Sequence, residues 1–190
     1  ITARDYKTGA TYLSYSHEKS STATAIFIDY LLFSLHNYGI NPETITIQTD
    51  NGKEFSNPHS QKLTLFEKII TEKYKARHKL IPYRRPTYNS DVESFHNLIE
   101  EEFFISEKPN NETELLAKTF SYQIWFNSYR TNRGRDNQNP EQIYQTELNT
   151  DKAIPLIPPI VVDNYIPLMG KKVKGGYFLP LPPKTFLSCP

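Results

Sequence analysis

The sequence predicts an α/β fold with one main domain. Three observations lead to this. A length of 190 residues supports a single ordinary core with an extension. Strand-type and helix-type patterns follow one another in the order β-β-α-β-α-β through the first half of the chain. Proline gathers near the C-terminus, where it denies amides to ladders and helices.

Each element has a local reason. Residues 1–18 read as two strands joined at Lys7-Thr8-Gly9, with Thr11, Tyr12, Leu13 and Tyr15 as β-favouring side chains around a glycine turn. From Ser21, the residues Ala23, Ile26, Phe27, Tyr30, Leu31, Phe33 and Leu35 place an apolar stripe on a helix that closes near Gly39. Ile45-Thr46-Ile47-Gln48-Thr49 alternates as a strand and stops at the turn signal Asp50-Asn51-Gly52. Leu63, Phe66, Ile69 and Ile70 predict a second helix over Leu63 to Lys73, followed by a strand around Ala76 to Ile81. Pro82 to Ser90 contains two prolines and reads as an exposed loop. Asn89 or Ser90 then caps a helix whose Val92, Phe95, Leu98 and Ile99 face the core. Leu115, Leu116, Phe120, Ile124, Trp125 and Phe126 mark a long helix from Glu112 to about Tyr129, and Asn139-Pro140 starts a short one. Beyond Asp151, which precedes eight of the 14 prolines, the chain reads as an extended tail. The expected division is therefore a domain over 1–150 and a Pro-rich C-terminal extension over 151–190. The aromatic set Tyr12, Tyr15, Phe27, Tyr30, Phe33, Phe120, Trp125 and Phe126 is expected to be mostly core.

Composition narrows the function classes. A formal net charge of +1 surrounds the chain with no field of one sign, so nucleic-acid binding has to be local. The only cysteine, Cys189, excludes an intrachain disulfide framework and a cysteine-rich zinc site, and fits a reducing cytoplasm. No apolar run is long enough to span a bilayer, and the N-terminus lacks the regions of a signal peptide. Ile1-Thr2-Ala3 reads as the interior of a strand, so the domain is expected to be N-terminally truncated.

Two carboxylates carry the candidate chemistry. Asp50 ends a strand just before Asn-Gly, which leaves it at the C-terminal edge where α/β folds open sites. Glu93 lies in the first turn of a helix. Carboxylates from different elements can converge on hard divalent cations such as Mg²⁺, which prefer oxygen ligands. A pair of such ions about 4 Å apart can activate a water or a 3′-hydroxyl and stabilise the departing oxygen at phosphorus. The plain alternatives are a turn-forming aspartate and a glutamate that complements the helix dipole.

Lys73, Lys75, Arg77, Lys79, Arg84 and Arg85, with His78 and no acid among them, form the best phosphate-binding candidate. Tyr83 and Tyr88 can stack on unpaired bases, and Asn89 closes the same loop. His96 and Asn97 follow Glu93 by about one helical turn and can face the same surface. The alternative for the basic stretch is a strand edge protected by lysines. Arg130, Arg133 and Arg135 form a second basic group that either holds distal DNA or caps the preceding helix.

Thr49-Asp50-Asn51-Gly52-Lys53-Glu54-Phe55, then Ile81-Pro82, then Pro86-Thr87-Tyr88-Asn89-Ser90-Asp91-Val92-Glu93-Ser94-Phe95-His96 resemble the second and third acidic motifs of DDE-type insertion-sequence transposases related to retroviral integrases. The likeness extends to Ile1-Thr2-Ala3-Arg4-Asp5, to Trp125-Phe126-Asn127-Ser128-Tyr129-Arg130 and to Asn139-Pro140-Glu141, and so covers residues 1–146. It implies an RNase H-like fold with a central mixed sheet flanked by helices. It also implies metal-dependent DNA strand cleavage and strand transfer in transposition and recombination. The implied cofactors are two Mg²⁺ ions, with Mn²⁺ as a substitute. Implied partners are transposon ends and target DNA, with a homo-oligomer forming on DNA, no membrane and no small-molecule cofactor. The implied location is the bacterial cytoplasm, associated with the nucleoid.

Asp50 and Glu93 match two of that family's three acidic ligands. The third is expected upstream of Ile1, so the two-metal site is expected only in the intact protein, and this piece is expected to turn over slowly or not at all. Asp5 matches a position where the family often has a non-catalytic aspartate. Ser90 stands where a glycine is common, and Asp91 adds an acid close to Glu93. The other reading is a catalytically inactive transposon remnant that still binds DNA or a transposase partner.

Overall fold

The computed structural model describes residues 1–56, 62–82 and 90–168. They form an α/β protein with strands β1 (Thr2–Arg4), β2 (Thr11–Leu13), β3 (Thr46–Thr49) and β4 (Arg77–Leu80). The helices are α1 (Ser21–Asn37), α2 (Leu65–Lys68), α3 (Ser90–Ile99), α4 (Glu112–Ser128) and α5 (Pro140–Leu148). Wider π turns extend α2 over Ile69–Lys73 and α3 over Glu100–Phe104, and 3₁₀ turns occupy Pro42–Thr44, Arg133–Arg135 and Val162–Leu168. No helix among the described residues is long and apolar enough to cross a membrane.

The chain divides into two compact units, one from Ile1, Ser14–Asn89 and Val161–Pro190, the other from Thr2–Leu13 and Ser90–Ile160. In the first unit α1 is the axis. Ser20 caps it by accepting from the Ala23 N–H at 3.1 Å, and Gly39, at φ +84°, lets the Ile40 N–H turn back to the Leu35 carbonyl. Ala23 and every residue from Ala25 to Leu32 are buried, so this helix is enclosed on all sides. It packs against α2, its π turn and the 3₁₀ turn Val162–Leu168. Thr64 and Glu67 form a reciprocal capping box that starts α2. The helix then returns the chain to lay β4 parallel to β3, with Thr46 opposite Arg77 and Thr49 opposite Leu80. Ile47, Thr49, His78 and Leu80 are half-buried, while Thr46, Gln48, Arg77 and Lys79 are exposed.

The second unit is built on the β1–β2 hairpin, antiparallel with Ala3 opposite Tyr12. Gly9, at φ +79°, makes the turn, and the Asp5 carboxylate accepts from both the Thr8 N–H and its hydroxyl. Leu13, Phe95, Ile99, Phe103, Tyr122 and Phe126 form its core. The amide of Asn127 on α4 accepts from the Thr11 N–H and donates to the Thr11 carbonyl, both at 2.9 Å. Gln123, one helical turn earlier, accepts from the Leu13 N–H at 2.9 Å and donates to the Ile157 carbonyl at 2.8 Å. Two buried side-chain amides thus occupy the β2 edge where another strand would pair.

Three expectations change. Among the described residues the strands make two separate two-stranded sheets, β1–β2 and β3–β4, not one central mixed sheet. On the β2 side the physical reason is the edge just described, whose hydrogen bonds go to helix side chains. The α4 face is also rotated from its apolar reading. Thr119, Gln123 and Asn127 are buried while Trp125 is 43% exposed, because the hairpin edge requires amides that a purely apolar stripe cannot supply. Lastly, residues 151–160 have no regular structure, as expected of an extended segment, yet Ile154, Ile157 and Ile160 are buried. Residues 161–168 likewise belong to the first unit, where the Val162 N–H donates to the Tyr15 carbonyl. Residues 169–190 lie outside the described residues. Of the aromatic set, Tyr12, Phe27, Tyr30 and Phe126 are buried, and Tyr15, Phe33 and Phe120 are half-buried.

Replacing Asn127 with alanine leaves the buried N–H and C=O of Thr11 without partners. The expected loss is about 2–4 kcal/mol of unfolding free energy, read from urea denaturation, with Asn127→Asp losing at least as much at neutral pH because a buried carboxylate oxygen would face the Thr11 carbonyl.

Candidate nucleic-acid and metal site

Asp50 follows the last residue of β3 and continues the alternation that exposes Thr46 and Gln48. Its carboxylate therefore emerges on the sheet face that also presents Arg77 and Lys79 of β4. The Asp50 Oδ1 accepts from the Gly52 N–H at 2.9 Å, and Asn51 Nδ2 donates to the Ile81 carbonyl at 2.8 Å, so the turn is tied to the end of β4. A side chain at Gly52 would meet two carboxylates: its Cβ would stand 2.7 Å from Glu54 Oε2 and 3.0 Å from Asp50 Oδ1. Glu54 in turn pairs with Lys19 at 3.0 Å. Its own backbone N–H and Lys19 hold the Glu54 carboxyl below the usual range. The loop thus gathers Asp50, Glu54 and Lys19. Sequence reasoning passed over the last two, although Glu54 lies inside the quoted motif and only a contact across the chain could single out Lys19.

Beneath this loop, His78 meets Thr49 Oγ1 at 2.9 Å through Nε2 and packs edge-on to Phe66, ring centroids 5.5 Å apart. Burial pushes its pKa below the ordinary 6.5, against an opposing pull from Glu67.

The basic stretch separates into different roles. Lys73 is not a surface cation. Its ammonium meets both oxygens of Asp29, at 2.7 and 2.9 Å, and Asp29 is buried in the middle of α1. Tyr74 donates to the Asp29 carbonyl at 3.2 Å. Burial raises the Asp29 pKa and Lys73 opposes the rise. Lys73 therefore leaves the phosphate-binding set, because a buried carboxylate requires a counter-charge. Lys75, Arg77 and Lys79 are exposed. Arg84, Arg85, Tyr88 and Asn89, with Tyr83, lie outside the described residues.

In the second unit Glu93 is exposed in the first turn of α3. The turn is anchored by Arg4, whose side chain is only 5% exposed and bonds Asp91 Oδ2 at 2.6 Å. The same guanidinium donates to the Gly9 carbonyl and to Thr11 Oγ1, and lies over the rings of Phe95 and Phe126 at 5.3 and 5.5 Å. One turn on, His96 Nε2 meets Thr2 Oγ1 at 3.1 Å, and Asn97 is exposed. The second basic group is largely structural: Arg130 grips Glu102 at 2.6 Å, and Arg135 bonds the Tyr6 and Lys7 carbonyls across the hairpin turn, whereas Arg133 is exposed. Asp5 is occupied by its turn, as above.

Asp50 belongs to the first unit and Glu93 to the second. Both are exposed carboxylates, oxygen donors of the kind hard divalent cations take. Among the described residues no group of three or more His, Cys, Asp or Glu side chains forms a metal centre. No protein-family model matches this sequence, and no curated protein does.

Two measurements test these assignments. Lys73→Met leaves Asp29 buried and uncompensated, with an expected loss of about 3–5 kcal/mol; adding Asp29→Leu is expected to recover most of it, which a double-mutant cycle by denaturant melts reads directly. For His78, a folded pKa below the unfolded one means the unfolded chain takes up the proton first. Its stabilising contribution is present above 6.5 and declines as pH falls through that value toward the lowered one. His78→Gln is expected to flatten the fall in melting temperature over that window.

Proposed function

We propose that this chain is part of the catalytic domain of a DDE-type DNA transposase with an RNase H-like fold, cutting and joining DNA strands with divalent metal ions. The observation that carries the reading is the shared face of β3–β4: an exposed carboxylate at the strand's C-terminal end, Asp50, beside an exposed cationic row, Arg77 and Lys79. That arrangement suits a phosphodiester backbone held by the cations while its phosphorus is addressed from the acidic end. The ordered acidic motifs supply the rest of the support, with Glu93 exposed in the first turn of its helix.

In this reading Arg77, Lys79 and Lys75 neutralise phosphates and release counterions, which fixes the DNA without reading its sequence. Asp50 and Glu93 would each offer a carboxylate oxygen to a divalent ion, and Arg4 holds the helix turn that carries Glu93. Bound Mg²⁺ supplies activation of a water or 3′-hydroxyl and stabilisation of the departing oxygen. The resemblance calls for a third carboxylate, which would complete the ligand set.

The test is a Mg²⁺-dependent strand-transfer assay on the chain as given and on one extended by an upstream strand carrying an aspartate. Activity is expected in the extended form and is expected to drop to background with Asp50→Asn or Glu93→Gln; activity indifferent to both substitutions rules the mechanism out. Separately, Arg77→Ala with Lys79→Ala is expected to lower the slope of log binding constant against log salt by about two. DNA binding with this slope but no cleavage in the extended form would select the remnant reading.

A further inference from the structure

Within the second unit, the end of the π turn after α3 and the middle of α4 border an open cleft of about 380 Å³. Phe103, Tyr122 and Trp125 give it an aromatic wall, with Tyr122 5.3 Å from Phe103 and 5.7 Å from Trp125 between ring centroids. Trp125 is the chain's single tryptophan, and nearly half of it faces solvent on a helix whose other large aromatics are better covered. The rim is acidic. Lys118 lies between Glu107 at 2.8 Å and Glu114 at 2.9 Å, so two carboxylates share one ammonium. Glu102 is already satisfied by Arg130 and the Tyr122 hydroxyl. Residues 100–114 contain six glutamates and one lysine. An exposed tryptophan over an aromatic cleft with surplus carboxylate charge calls for an occupant that pairs an aromatic anchor with cations.

The chain contains such a segment. Lys171-Lys172-Val173-Lys174-Gly175-Gly176-Tyr177-Phe178-Leu179 places three lysines ahead of two adjacent aromatics, and no acidic residue follows Asp163. It lies outside the described residues. The opposite charges are segregated into two stretches of a chain whose net charge is only +1. Two copies therefore meet without overall repulsion while the acidic rim of one attracts the basic segment of the other.

We propose that the Trp125 cleft docks the Lys171–Leu179 segment of a second copy of this chain. Tyr177 or Phe178 packs against Trp125, and the lysines face Glu107 and Glu114. Since the contact is reciprocal, it makes a closed pair. It is independent of the transposase reading, because neither Asp50 nor Glu93 takes part.

Trp125 reports on its own site. In the full chain at low salt, sedimentation is expected to show a concentration-dependent dimer, and dilution is expected to raise acrylamide quenching of Trp125 about twofold, as a half-exposed indole loses its cover. Lys171→Glu with Lys172→Glu and Lys174→Glu is expected to weaken dimerisation at least tenfold, on the order of 1.4 kcal/mol, and Glu107→Lys is expected to do the same. Combining Glu107→Lys with the triple substitution is expected to restore part of the loss, which a merely misfolded variant would not. A monomer at all concentrations overturns the proposal. So does a dimer indifferent to both charge reversals, or quenching that does not change on dilution.

Discussion

A helix amide standing in for a strand is the constraint on which the second unit depends. Peptide groups on the outer edge of a two-stranded hairpin must find partners once buried, and Asn127 and Gln123 provide them at Thr11 and Leu13, while Gln123 also donates to the Ile157 carbonyl. That requirement fixes the rotation of α4. With Thr119, Gln123 and Asn127 turned inward, Phe126 and Tyr122 reach the aromatic core, and Trp125 is left at the surface. The helix thus acquires its exposed aromatic as a consequence of closing the hairpin edge.

The same hairpin positions the first turn of α3. The Arg4 guanidinium is buried over two rings and makes four hydrogen bonds, two to Asp91 and one each to Gly9 and Thr11, which offset its desolvation. Moving Asp91 would move Glu93, two residues on. In the first unit the corresponding device is ionic: Lys73 meets Asp29 inside the α1 packing and holds the π turn against the helix it covers. Each π turn carries one member of an ion pair, Lys73 with Asp29 in one case and Glu102 with Arg130 in the other. This use of charge also explains why basic residues adjacent in sequence separate into scaffold and surface.

The exposed cations Arg77 and Lys79 and a carboxylate at a strand end share one face of β3–β4 because the pleat alternates, and the glycine at position 52 admits both Asp50 and Glu54 to the same turn. His78 lies half-buried on the other face of β4, where burial pushes its pKa below the ordinary value.

Local chemistry was sufficient to read most elements from the sequence. The Ser20 cap and Gly39 bound α1, Asp50-Asn51-Gly52 ends β3, and Asn139 with Gln142 starts α5, since each of these depends on residues a few positions apart. The turn signal likewise placed Asp50 at its strand end, whereas its shared face with Arg77 and Lys79 follows from the β3–β4 register. What only the tertiary structure decided are partnerships between distant residues: Lys73 with Asp29, Arg4 with Asp91, Lys19 with Glu54, and Asn127 with Thr11. Lys73, read from the sequence as a cation for DNA, shows the difference most plainly. The sequence determines which groups need partners, but the packed chain determines which partner comes within hydrogen-bonding distance, because that choice depends on how elements far apart in the chain are brought side by side.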